Sequence, residues 1–248
     1  MKKIIFDFDG VICDSTLECL YISYNSFMEL TEQYHRKIND INLININFRK
    51  KFIQYRNLVR GASQFLQLID FIFSGENEKE IDKFLSKEDV RSHAYKKIFY
   101  RNRLILANES FDQWLKLHTF QNEVIKYLLD TKKSNQQVLI ATLKDKNSIN
   151  LLLENKGIES KYLDILDKDD IDNKLDAILL FKKKYNLEKD DIIFIDDNIN
   201  HLIQLHKENY KTILATWFSN NSRQIDIAKK NEISTCNSFD QLTEELNE

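Results

Sequence analysis

The side chains with the most chemistry to offer are acidic. Asp7 and Asp9 stand two apart in KKIIFDFDGVICDS, at the exit of an aliphatic and aromatic run, and Gly10 follows them. In an extended chain, residues two apart project to the same side. Both carboxylates can therefore face one point, and the glycine lets the chain turn without a Cβ penalty. A second acidic pair, Asp196 and Asp197, closes the run IIFIDD, and a third apolar run, VLIAT, ends on the hydroxyl of Thr142. Aspartate beside glycine is also ordinary turn chemistry, so one such run alone decides little. Three of them together describe a site. Carboxylates brought close are costly unless neutralised. A hard divalent cation does this, and magnesium takes a few carboxylates while keeping waters and substrate phosphate oxygens as its other ligands.

The elements that must position these groups follow from periodicity. A buried strand is expected over Lys3–Phe8, then a helix in which Leu17, Leu20, Tyr21, Tyr24, Phe27 and Met28 recur at three and four residues. Ala62, Phe65, Leu66, Ile69, Ile72 and Phe73 make a second helical stripe, and helical signals continue through Lys83–Arg103. No buried strand is expected from Ser15 to about Leu117. Beyond that point short strands at 137–142, 162–166, 191–197 and 212–215 alternate with helices, one of them over Asn173–Tyr185 with Leu175, Ile178 and Leu179 facing inward. Strands alternating with helices imply a parallel sheet with right-handed crossovers. The expected fold is α/β, a Rossmann-like doubly wound parallel sheet. The expected domains are an α/β core of residues 1–14 and 118–248 and an inserted α-helical domain of residues 15–117. Open sheets of this kind bind ligands at the carboxyl ends of their strands, where all three acidic or hydroxyl-bearing exits would lie.

Bulk properties exclude several classes. Among 248 residues 42% are hydrophobic, enough for a real core, and the formal net charge is −3. No global basic field recruits nucleic acid or an anionic membrane surface. Cys13, Cys19 and Cys236 are too few and too scattered for a disulfide framework or a zinc site. The apolar run behind the first lysines is broken at Asp7, so no signal-peptide core forms, and no uncharged apolar stretch is long enough to span a bilayer. The expectation is a cytoplasmic protein, either monomer or homodimer, with no nucleic-acid or membrane partner.

FDFDGV, the strand ending IAT, Lys174 at a helix start and the run FIDD together resemble the four motifs of the haloacid dehalogenase superfamily. The resemblance covers the whole chain in order and spacing. The first and fourth motifs are specific; the second and third are weak in isolation. The insertion between the first two motifs is similar to the helical cap of phosphoglycolate-phosphatase-like members. The resemblance implies a magnesium-dependent phosphatase acting on a small phosphorylated metabolite. Asp7 would be the nucleophile that forms an aspartyl-phosphate. Asp9 would be general acid and then base, with its backbone carbonyl reaching the metal. Thr142 would hold a phosphate oxygen, and Lys174 would pair with phosphate and with Asp7. Asp7, Asp9, Asp196 and Asp197 would form the Mg2+ set. Lys168, in the charged run DKDDIDNK, competes with Lys174 for its role, and Lys144 reads as solvated.

The sequence also departs from the family pattern. His201 stands where many relatives carry a further acid; it is either a solvated helix residue or a group that orients a metal-bound water. The family's usual glycine and proline before the helix at Phe120 are missing, as is the proline after the third-motif lysine. Arg56 and Arg60, in YRNLVRG, are candidates for an anionic substrate tail, since guanidinium suits carboxylate and phosphate; two solvated helix arginines is the competing reading. A phosphomutase shares the same nucleophile and acid and is distinguished by its need for a bisphosphate activator. A haloacid dehalogenase is disfavoured, because such enzymes typically lack an acid where Asp9 stands. A non-catalytic binding protein on the same scaffold is the remaining alternative.

Overall fold

Runs that are apolar on both sides, such as IIFID, are satisfied only inside a sheet covered on both faces. The computed structural model describes residues 2–134, 136–219 and 221–247. Its strands are β1 (Lys3–Phe6), β2 (Cys13–Asp14), β3 (Thr119–Phe120), β4 (Val138–Ala141), β5 (Leu163–Leu166), β6 (Ile192–Asp196), β7 (Lys211–Ala215) and β8 (Ser234–Cys236). The helices between β2 and β3 are α1 (Thr16–Leu30), α2 (Ile46–Tyr55), α3 (Gln64–Ser74), α4 (Ile81–Leu85), α5 (Ser92–Glu109) and α6 (Phe111–Leu115). Those that follow are α7 (Asn122–Lys133), α8 (Lys146–Glu154), α9 (Lys174–Tyr185), α10 (Ile199–Lys207), α11 (Ser222–Lys230) and α12 (Phe239–Asn247).

Two compact units result, Met1–Asp14 with Thr119–Glu248, and Ser15–His118. In the first, six strands among the described residues form one sheet in the order β5-β4-β1-β6-β7-β8, all pairs parallel. This is the doubly wound arrangement, with β1 central. Ile5, Leu139, Phe181, Phe194, Leu202 and Leu214 belong to one buried cluster between the sheet and its helices. β2 and β3 form a separate antiparallel pair.

The second unit is helical throughout its regular structure. Its core is aromatic: Phe52 stacks on Phe65 at 5.6 Å between centroids, and Phe65 on Phe99 at 5.5 Å. A buried ion pair joins its longest helices, with Arg103 Nε 2.6 Å from Glu18 Oε1.

Several expectations need correction. β1 ends at Phe6, not Phe8. The Asp7 amide still donates to Ile195 O at 2.8 Å, but Phe8 O then accepts from the amides of Ile12 and Cys13, which turns the chain. In α9 the inward stripe is Lys174, Ala177, Ile178 and Phe181, whereas Leu179 is half exposed. The stripe starts one residue earlier than an apolar reading places it, because its first member is a lysine. Phe73 is also half exposed, although its ring touches Phe27 and Phe48. β8 was not expected at all: Ser-Thr-Cys has no apolar run, and it forms because β7 offers a free ladder edge.

Candidate active site

β1, β4 and β6 are neighbours in the sheet, so their carboxyl ends lie side by side. That adjacency brings Asp7, Thr142 and Asp196 to one edge. α9 adds the cation. Asn173 caps it by accepting from the amides of Leu175 and Asp176, which starts the helix at Lys174 and turns that side chain inward. Lys174 Nζ lies 2.8 Å from Asp7 Oδ1 and 3.5 Å from Asp196 Oδ2. It also donates to Ala141 O at 2.7 Å. All three side chains are almost fully buried. Lys168 instead pairs with its neighbour Asp169, so of the two lysines only Lys174 stands at Asp7.

Backbone donors fix the carboxylates. The Phe8 amide donates to Asp7 Oδ1 at 2.7 Å, and the Asn198 amide to Asp196 Oδ1 at 2.8 Å. His201 Nδ1 is 3.0 Å from Asp196 Oδ2, so the histidine is neither fully solvated nor remote. Gln224, which sequence reasoning did not single out, ties the exit of β6 together: its Nε2 donates to Asp197 O at 3.1 Å, and its Oε1 accepts from the Ile199 amide at 2.8 Å. A lone glutamine beside the apolar residues of an amphipathic helix carries no sequence signal of that role.

Gly10 is required by geometry. Its φ is +83°, and a Cβ there would fall 2.1 Å from Asp197 Oδ2. The turn after the first run and the second acid of IIFIDD are thus packed against each other.

Asp9 is not held by Lys174. Its Oδ1 lies 3.4 Å from Lys144 Nζ, and the Lys144 side chain is fully buried. The expectation of a solvated lysine at position 144 is therefore wrong. Thr142 Oγ1 accepts from the Lys144 amide at 3.2 Å, which folds the chain back after β4 and carries the lysine inward. Thr142 itself is buried, and its amide donates to Leu166 O at 3.0 Å. Arg56 and Arg60 belong to the helical unit, where Arg56 opens a short 3-10 turn and is half buried while Arg60 is exposed.

The electrostatics follow from burial and from who faces whom. Burial pushes the Asp7 carboxyl above its ordinary 3.8, against the pull of Lys174, and Asp196 adds to the rise. Burial alone would lower the Lys174 ammonium, but Asp7 and Asp196 together hold it above its usual value. The partners differ because the lysine faces two carboxylates, while Asp7 faces one lysine and one repelling acid. Burial would raise Asp196 too; His201 and Lys174 reverse the sign and keep it below the usual range. Asp7, Asp196 and His201 each offer one ligand atom within 4.8 Å of the others. Two buried carboxylate oxygens and an imidazole nitrogen at that spacing fit a divalent cation.

Comparison with known proteins bears on the fold and the family. A crystal structure of a predicted phosphatase from Clostridium acetobutylicum superposes with a TM-score of 0.60 at 17% identity, over 99% of this chain and 97% of that one. A predicted phosphoglycolate phosphatase from Haemophilus somnus gives 0.59 at 18% identity, over 95% and 93%. A hydrolase from Pseudomonas syringae gives 0.57 at 12% identity, over 100% and 98%. At such identities the likeness is one of fold. No curated protein sequence matches the chain. The model of the haloacid dehalogenase-like hydrolase family matches residues 1–207. With that match over most of its length, and with the family's fold beneath it, the chain belongs to the haloacid dehalogenase-like hydrolases.

Proposed function

We propose that the protein is a magnesium-dependent phosphatase that hydrolyses a small phosphorylated metabolite through an aspartyl-phosphate on Asp7. The observation that carries this reading is the buried Lys174–Asp7 pair, 2.8 Å long, at the carboxyl edge of a parallel sheet. An ammonium placed there keeps a buried carboxylate available as a nucleophile and offsets the charge of an incoming phosphoryl group. The similarity to a predicted phosphatase and a predicted phosphoglycolate phosphatase supports the same substrate class.

In this reading an Asp7 oxygen attacks phosphorus, and Asp9 protonates the departing oxygen. Asp9 then takes a proton from the water that hydrolyses the acyl phosphate. Thr142 donates its hydroxyl to a phosphate oxygen. Asp7, Asp196, Asp197 and the Asp9 carbonyl are the residues that would hold Mg2+, with His201 beside Asp196. Once bound, the ion neutralises charge on the phosphoryl oxygens as a Lewis acid. Choice of substrate falls to the helical unit, with Arg56 and Arg60 as the candidates for an anionic tail.

The test is hydrolysis of a panel of phosphorylated metabolites with magnesium, with EDTA, and with Asp9→Asn. Turnover that needs the metal and disappears in the variant supports the reading. Turnover that survives EDTA, or that Asp9→Asn leaves intact, contradicts it.

No helix among the described residues is long and apolar enough to cross a membrane. A cytoplasmic location remains part of the proposal.

A further inference from the structure

We infer that Lys144 is a positioning residue that holds the Asp9 carboxylate in the orientation proton transfer requires, an inference that rests on the phosphatase reading above. The Lys144 side chain is fully buried, and its Nζ lies 3.4 Å from Asp9 Oδ1. A lysine at a strand exit ordinarily runs its stem over apolar surface and keeps its head in water. Burying the head is costly unless an opposite charge meets it. Here the chain is bent to make that meeting: Thr142 Oγ1 accepts from the Lys144 amide at 3.2 Å and turns the residue inward.

The backbone beneath Asp9 is already fixed. Phe8 O accepts from the amides of Ile12 at 3.0 Å and Cys13 at 3.1 Å, and the Gly10 amide donates to Cys13 O at 2.8 Å. Trp217 Nε1 donates to Val11 O at 3.0 Å and anchors the far side of the turn. The turn fixes the Asp9 backbone but not the side-chain rotamer; the Lys144 ammonium meets Asp9 Oδ1 at ion-pair distance without hydrogen-bonding to it, so its hold on that rotamer is Coulombic. The site therefore uses two buried lysines with separate tasks. Lys174 stands at the acid that attacks, and Lys144 at the acid that delivers a proton.

In the first half of the reaction a bond forms from an Asp7 oxygen to phosphorus while the bond from phosphorus to the ester oxygen breaks. The electron pair of the broken bond goes to that oxygen. The Asp9 carboxylic acid gives it a proton, so an alcohol leaves and an Asp9 carboxylate remains. A positioned acid is worth about 10²–10⁴-fold, and only where the leaving oxygen is basic enough to need the proton.

That condition supplies the test. Phenyl phosphate releases a basic oxygen; dinitrophenyl phosphate releases a weakly basic one. Wild type, Lys144→Met, Lys144→Arg and Asp9→Asn are compared on both esters with magnesium. Lys144→Met is expected to lose about 10- to 100-fold more kcat/KM, which reports the step that breaks the ester bond, on phenyl phosphate than on dinitrophenyl phosphate. Lys144→Arg should recover part of that gap, and Asp9→Asn should show the same bias more strongly. The ratio of the two rates in one sample does not depend on how much of the protein is folded. Equal losses on both esters, or no loss on either, would overturn the role of Lys144. A folded wild type that hydrolyses neither ester would instead overturn the phosphatase reading on which the role rests.

Discussion

Lys174 Nζ lies 2.8 Å from Asp7 Oδ1 and 3.5 Å from Asp196 Oδ2, so one buried ammonium spans the acid ends of two adjacent strands. Replacing it with methionine leaves both carboxylates buried without that cation. Removing one preorganised charge donor from such a site costs about 10²–10³ in kcat, and Lys174→Met should lose at least that much. Lys168→Met, on a side chain that pairs with Asp169, should leave kcat unchanged. Steady-state kinetics on the best ester of the panel separates the two lysines, and comparable losses in both variants would remove Lys174 from its role.

Gly10 and Gly157 provide a matched pair. Both have positive φ, +83° and +79°, but only Gly10 has atoms within 4 Å of an added Cβ, the nearest being Asp197 Oδ2. Gly157→Ala should cost about 1–2 kcal/mol, the penalty of the left-handed region alone. Gly10→Ala should cost more and displace the Asp197 carboxylate. Thermal unfolding and calorimetric titration with magnesium are the measurements. Equal destabilisation, with magnesium affinity unchanged, would mean that Asp197 adjusts freely.

Within the helical unit Arg103 meets Glu18 through Nε at 2.6 Å and Nη2 at 3.0 Å, with both side chains buried. The guanidinium also lies over the Phe99 ring, 4.7 Å from its centroid. Taking away one partner of a buried pair costs about 3–5 kcal/mol, whereas replacing both with apolar groups is often far milder. Denaturant titration should therefore rank Arg103→Met as less stable than Glu18→Leu combined with Arg103→Met. The reverse order would show that the pair contributes packing rather than charge.

Cys236 gives a pH dependence. Burial pushes its thiol up from the ordinary 9.0 to about 11, with Glu245 adding to the rise and Lys211 opposing it. A group whose pKa is higher in the folded state stabilises the fold fully below its unfolded pKa and loses that contribution as pH rises through the folded value. Stability should thus decline between about pH 9 and 11, and Cys236→Ala should decline less over the same window. Melting temperatures of both proteins across that range are the readout, and parallel curves would count against a buried thiol.

The parallel sheet was legible because its strands are short apolar runs that end abruptly in Asp or Thr, and a doubly wound sheet collects such ends on one edge. Asp7, Thr142 and Asp196 lie on that edge for that reason, and the start of α9 brings Lys174 to Asp7 and Asp196. What stayed hidden depends on distance in sequence or on charge placed against type. Lys144 looks solvated in LKDK, and only the fold shows Asp9 waiting for it. The buried stripe of α9 begins with Lys174, so an apolar reading places the stripe one residue late and turns Leu179 inward. β8 has no apolar signature, and Gln224 reaches the exit of β6 from a helix whose apolar residues, Ile225, Ile227 and Ala228, draw the eye instead.

The central claim is that Asp7 becomes phosphorylated. The most direct measurement is rapid acid quench of the enzyme during turnover of a radiolabelled phosphate ester, followed by peptide mapping of the labelled protein. The account predicts a hydroxylamine-labile phosphoryl group on the peptide containing Asp7, absent from Asp7→Asn, which should remain folded and inactive. Undiminished turnover by Asp7→Asn, or a label on a different peptide, would contradict it.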